Sequence, residues 1–142
     1  MLRAPASAQV TTDSLGALEI WLAAPGVVVQ RIRGYGSVKI AEAIADFNDR
    51  LISAGVQPLI FDDWMELTGY STGARVTLTA WAIQRRRRIR GIHVLVKSKL
   101  VSMGLAISNT ATGGLATAYA NRLDFEAALA DAVGAVNAAE SR

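Results

Sequence analysis

The chain has no cysteine among its 142 residues and a single histidine, His93. The first absence excludes disulfide staples, thiolate nucleophiles and cysteine-ligated zinc. The second leaves little for general acid–base catalysis, because one imidazole inside the apolar stretch GIHVLVK reads as a neutral, hydrogen-bonded strand residue. Long apolar runs are missing too. The longest nearly uncharged stretch, LVSMGLAIS at residues 100–108, falls well short of the roughly 20 residues that a membrane-spanning helix needs. The amino end, MLRAPASAQVTTDS, lacks the basic start and the apolar core of about 7 to 15 residues that mark a secretory signal. Cytoplasm is therefore the expected location, with residues 1–16 a mobile tail ahead of one domain over residues 17–140.

Catalytic signatures are equally scarce. There is no phosphate-binding loop, no dinucleotide fingerprint and no H-E-x-x-H. GYSTG, residues 69–73, is out of frame for a nucleophile elbow, since Thr72 rather than a serine precedes the last glycine and no triad partners are identifiable. Oxygen ligands for a metal come down to Asp62, Asp63 and Glu66, which read as solvated loop acids. No cofactor, no metal and no enzymatic activity are expected.

What is there is apolar mass: 51% of the residues are hydrophobic, enough to fill one core in a chain of one-domain length. The net charge of +3 is concentrated, with Arg85, Arg86, Arg87, Arg88 and Arg90 supplying a third of the 15 lysines and arginines. Residues 17–33 show two β-rich runs around a Pro25-Gly26 break, a hairpin that Gly34 and Gly36 bring to a stop. From Val38 to Ala54 the period becomes helical, with Ile40, Ile44, Phe47 and Leu51 on one face, acids opposite, and Gly55 as the terminating residue. PLIFDDW, residues 58–64, predicts a buried strand whose acidic end meets solvent. A helix is predicted over residues 73–88, a buried strand over 89–98, a short helix from Lys99 to Ile107, a short strand, and a last helix capped by Asp124 with Phe125, Ala128, Leu129, Ala132 and Val136 as its stripe. The order predicts an α/β fold: a mixed sheet, parallel in part, begun by an antiparallel hairpin and flanked by about four helices.

Ser71 and Thr72 stand directly ahead of the 73–88 helix. A hydroxyl there caps free backbone N–H groups, and the same place favours a phosphate, which would meet the positive end of the helix dipole while adding nearly two negative charges to the surface. The helix itself has two apolar sides, Ala74, Leu78, Trp81 and Ala82 on one and Val76, Ala80 and Ile83 on the other. One side wants the sheet, with Trp81 in the core; the other wants a neighbouring helix or a protein partner.

In these features the chain resembles STAS domains, the family that includes bacterial anti-sigma factor antagonists. The family's motif runs from a strand-end aspartate, here Asp62 in LIFDDW, to D-S-[ST]-G-[LA], here Tyr70, Ser71, Thr72, Gly73 and Ala74. VVVQRIRG, IRGIHVLVKSKLVSMGLAIS and ATAYANRLDFEAALADAV are similar to later and earlier pieces of the same frame, so the resemblance spans about residues 17–136. It implies a STAS-like fold, a non-catalytic regulatory module, phosphorylation at Thr72 or Ser71, and a protein partner such as an anti-sigma-type serine kinase or a STAS assembly. The contact face it implies comprises the Asp63–Thr72 loop with Asp62, Asp63, Trp64, Glu66 and Tyr70, the helix start with Gly73 and Arg75, and Met103 on the short helix, which also offers a homodimer contact. Tyr70 departs from the family, which has an aspartate there.

Two other readings of the residues remain. The arginines at 85–90 suit nucleic acid or an anionic surface, although arginines at a helix end also complement its dipole and lie in water. A small-ligand carrier of the same fold would have Asp62, Asp63, Glu66 and Tyr70 to draw on.

Overall fold

The computed structural model describes residues 2–97, 99, 109 and 112–141. In chain order these form β1 (Gln9–Thr12), β2 (Gly16–Ala24), β3 (Val27–Gly36), α1 (Val38–Ser53), β4 (Leu59–Tyr70), α2 (Thr72–Arg85), β5 (Gly91–Val96), β6 (Ala116–Tyr119) and α3 (Arg122–Glu140). The strands make one mixed sheet in the order β1-β2-β3-β4-β5-β6. Strand β2 is antiparallel to both β1 and β3, and β3 through β6 run parallel. Of the predicted short helix at 99–107, residues 100–107 fall outside the described residues, among which three helices are assigned.

Strand β3 shows why the centre of this sheet is buried on both sides. Val27 to Ile32 is buried at every position, as a strand covered on two faces requires, with Gln30 and Arg31 set among the apolar residues. Alternation sends Val28 and Ile32 to a cluster with Ile40 and Ile44 of α1 and Trp81 of α2, while Val27 and Val29 meet Phe125 and Leu129 of α3. Helices α1 and α2 thus lie on one face and α3 on the other. None of the described helices is long and apolar enough to cross a membrane.

Four sequence expectations are corrected. Residues 9–12, placed in a mobile tail, form β1 along the edge of β2, with Gln9 opposite Ile20 and Thr12 opposite Ala17. Arg31 Nη1 donates to the Leu2 carbonyl as well. Gly34 does not stop β3: at φ +81 it carries the strand through an irregularity to Gly36, and a Cβ on it would lie 2.5 Å from the Leu15 carbonyl oxygen. Strand β4 does not end at its acids but continues to Tyr70, so the predicted 63–72 loop is largely strand. Finally, α3 is capped by Asn121, whose side chain accepts from the N–H groups of Leu123 and Asp124; Asp124 sits in the first turn, where its charge meets the dipole. Boundaries shift elsewhere, with α2 stopping at Arg85 and β5 occupying 91–96.

Candidate functional site

The carboxyl ends of β3 and β4 deliver the starts of α1 and α2 to one corner of the molecule. Ser37 and Ser71 are the two N-caps, each with extended backbone and each accepting from the N–H three residues on, Ile40 at 3.3 Å and Ala74 at 3.0 Å. The Ser71 N–H donates to the Gly36 carbonyl, which ties the second cap to the end of β3. Gly73 is required by the closeness of the two helix starts, since a Cβ there would come within 2.8 Å of Val38 Cγ2.

Thr72 is the first residue of α2 and is exposed; Ser71 is half-buried. No acidic residue occupies the first turn of α2, so its positive end is uncompensated by side-chain charge. Tyr70, where STAS domains carry aspartate, packs half-buried against the α1–α2 core. Arg75 is half-buried one turn into the helix.

The acids predicted to face a partner are elsewhere. Asp62 and Asp63 are 4% and 1% exposed, because β4 runs on past them under the helices. Arg122, the first residue of α3, grips Asp63 with both nitrogens, Nη1 to Oδ2 at 3.1 Å and Nη2 to Oδ1 at 3.0 Å. Asp62 points to the other face, where Gln30 Nε2 donates to its Oδ1 at 2.6 Å. Asn48 of α1 in turn donates to Gln30 Oε1 at 2.6 Å and to its own Ile44 carbonyl at 2.9 Å. Burial pushes the Asp62 carboxyl up to about 7, with the Gln30 bond opposing and the Asp63 charge adding to the rise. Glu66 is exposed and paired with Arg33 at 2.9 Å, and Trp64 is half-buried with its indole N–H enclosed. Of the predicted contact residues, the corner therefore gathers Tyr70, Ser71, Thr72, Gly73 and Arg75, while Asp62 and Asp63 are interior. Met103 lies outside the described residues.

Other candidates resolve simply. His93 stacks on Phe61 at 4.5 Å, its Nδ1 lies 2.8 Å from the Tyr119 hydroxyl, and burial lowers its pKa. Arg85 pairs with Asp49 of α1, which also accepts from Trp81 Nε1 at 2.8 Å, while Arg86, Arg87, Arg88 and Arg90 are exposed beyond the far end of α2 from the corner. Val76 and Ile83, the second apolar side of α2, are 53% and 41% exposed.

The residues that sequence reasoning missed are Gln30, Asn48 and Arg122. The first two left a trace: Gln30 interrupts VVVQRI, and Asn48 continues the Ile40, Ile44 row at the same spacing of four. Two polar residues set into apolar patterns on different elements are candidates for bonding each other in the core.

No protein-family model matches the chain, and no curated protein matches it in sequence. Solved structures do. An uncharacterised protein of the DUF3478 family from Shewanella loihica, described as having a SpoIIAA-like fold, superposes with a TM-score of 0.61 at 14% identity, covering 84% of this chain and 98% of the other. The fold is SpoIIAA-like. The phosphorylated form of SpoIIAA, a Bacillus cell fate determinant, superposes with a TM-score of 0.52 at 15% identity over 78% of this chain and 98% of that one. This SpoIIAA-like architecture agrees with the mixed sheet and the STAS resemblance read from the sequence.

Proposed function

We propose that this SpoIIAA-like domain is a non-catalytic regulatory module that binds a protein partner through the corner where β4 turns into α2, and that phosphorylation of Thr72 switches the contact. The observation that carries the reading is the exposure of Thr72 at the first position of a capped helix with no acid in its opening turn. A phosphate there is stabilised by the helix end and by N–H groups that have no intrahelical acceptor, so modification changes the surface charge without unravelling the helix. SpoIIAA itself has a phosphorylated form. The partner that fits is an anti-sigma-type serine kinase, which would transfer the phosphoryl group to the Thr72 hydroxyl and lose its grip on the product.

The test is affinity capture from the native host with wild type, Thr72→Ala and Thr72→Glu, followed by intact-mass measurement of the recovered chain. The alanine variant is expected to retain the partner and carry no phosphate, whereas the glutamate variant loses the partner while keeping its thermal transition. Equal capture by all three proteins would end the switch.

A further inference from the structure

One side of α2 is apolar and faces solvent. Ala74, Trp81 and Ala82 are buried, while Val76, Ala80 and Ile83, spaced four and three residues apart, lie on the side turned away from them, with Val76 and Ile83 53% and 41% exposed. Scattered apolar residues are ordinary on a protein surface, but a row at this spacing is what a second helix packs against. Helix α1 does not cover it. That helix meets α2 on another side, where Asp49 accepts from Trp81 and Arg85. Thr72 stands four residues before Val76, so the hydroxyl of the proposed switch heads the same row.

The charge around the row has one sign. The sequence has 12 acidic residues, and none of them falls between Glu66 and Asp124. Arg75 flanks the row, and Arg86 and Arg87 follow directly after its last turn. The side chains of these three have no ion pair or hydrogen bond among the described residues; only Arg85 is neutralised, by Asp49. A second copy of this chain would bring the same arginines to the same row, setting like charges against each other. Nucleic acid would use the arginines and leave the apolar row in water. An acidic helix satisfies both features at once.

We propose that the row seats an amphipathic helix of the protein partner, apolar where it meets Val76, Ala80 and Ile83 and rich in glutamate or aspartate on the flanks that meet Arg75, Arg86 and Arg87. The inference rests on the corner being a partner site and adds the chemistry of what binds there. It also gives the switch a physical form. A phosphate on Thr72 sets close to two negative charges at the head of a row whose flanking charges are positive, and an acidic helix is repelled by it.

The test uses the full chain and a hydrocarbon-stapled helical peptide of about 15 residues, long enough to span the row and the arginines, with leucine at spacings of three and four and glutamate on both flanks. Binding is read from the ¹H–¹⁵N resonances of α2. Saturable shifts centred on Val76, Ala80 and Ile83 are expected, with an affinity that falls about tenfold when lysine replaces glutamate in the peptide and that weakens as salt is raised. Val76→Glu and Ile83→Glu alter exposed positions, so both variants should fold, and each should weaken the peptide by about tenfold or more. Replacing Arg86 and Arg87 together with alanine should flatten the salt dependence. Absence of saturable shifts on α2, equal binding of the glutamate and lysine peptides, or binding unaffected by Val76→Glu would overturn the proposal. So would dimerisation of the chain that Ile83→Glu abolishes, which assigns the row to a second copy, or tighter binding of duplex DNA than of the peptide, which assigns the arginines to nucleic acid. The titration needs no modification of Thr72. Peptide binding by a chain whose partner capture ignores the Thr72 variants keeps the helix site and ends the switch; partner loss in Thr72→Glu without peptide binding does the reverse.

Discussion

Asp62 is a carboxyl group enclosed between a sheet and a helix layer, and its environment favours the protonated form. Desolvation raises its pKa from 3.8 to about 7, against the opposing bond from Gln30. Between about pH 4 and 7 the native state therefore holds a proton that the unfolded chain has released, so stability falls as the pH rises across this window and levels off above it. A displacement of this size corresponds to roughly 4 kcal/mol, at about 1.4 kcal/mol for each pH unit. His93 acts in the opposite sense, since its lowered pKa removes stability as the pH falls below the ordinary imidazole range. Asp62→Asn keeps His93 and removes the carboxyl. Its denaturation midpoint should accordingly rise from pH 5 to 7 relative to that of the wild type, in which Asp62 opposes His93; parallel curves for the two proteins would show that Asp62 is already ionised in the native state.

Helix α3 reaches the sheet through one ion pair and one apolar stripe. The pair joins Arg122 to an Asp63 side chain that is 2% exposed, and Phe125 and Leu129 continue the contact into the core of that face. Arg122→Ala would strand a buried carboxylate, a change that typically costs about 3–5 kcal/mol, and should lower the melting temperature by well over ten degrees with loss of α3 protection in hydrogen exchange. Loss of under about 1 kcal/mol would mean that solvent reaches Asp63. This pair also explains why β4 was only half legible in the sequence. Asp62, Asp63 and Glu66 read as solvent-facing because nothing nearby in the chain balances them; their partners Gln30, Arg122 and Arg33 lie 32, 59 and 33 residues away. Periodicity is local, and so α1, α2 and the α3 stripe could be read directly. Asn121 and Asp124 can both cap a helix, and only backbone geometry distinguishes them.

The whole molecule has unlike ends. At one, the caps of α1 and α2 meet; at the other, Arg86, Arg87, Arg88 and Arg90 stand in water. The first was legible because a hydroxyl pair and a glycine immediately precede a periodic segment. A cavity of roughly 130 Å³ on the α1–α2 face was not, because its walls come from strands and helices that only the tertiary fold brings together. The β1 edge was missed for a simpler reason: QVTT is four residues long and carries no marked alternation. It nevertheless shields β2, and deletion of residues 1–12 should expose that strand's free N–H and C=O groups, lower the melting temperature by several degrees and produce concentration-dependent self-association in sedimentation. An unchanged, monomeric truncation product would show that β1 protects nothing.

Strand β4 also spends two more residues than β3 over the same distance, one between the Arg31–Asp63 and Arg33–Glu66 pairs and one between Gly34–Leu67 and Tyr35–Gly69. Those extra residues set the parity of everything downstream. Removal of a single residue from this stretch would exchange inside for outside, turning Leu67 away from its cluster and rotating the hydroxyl pair out of its seat at the helix start. The spelling of this segment can drift, but its letter count cannot.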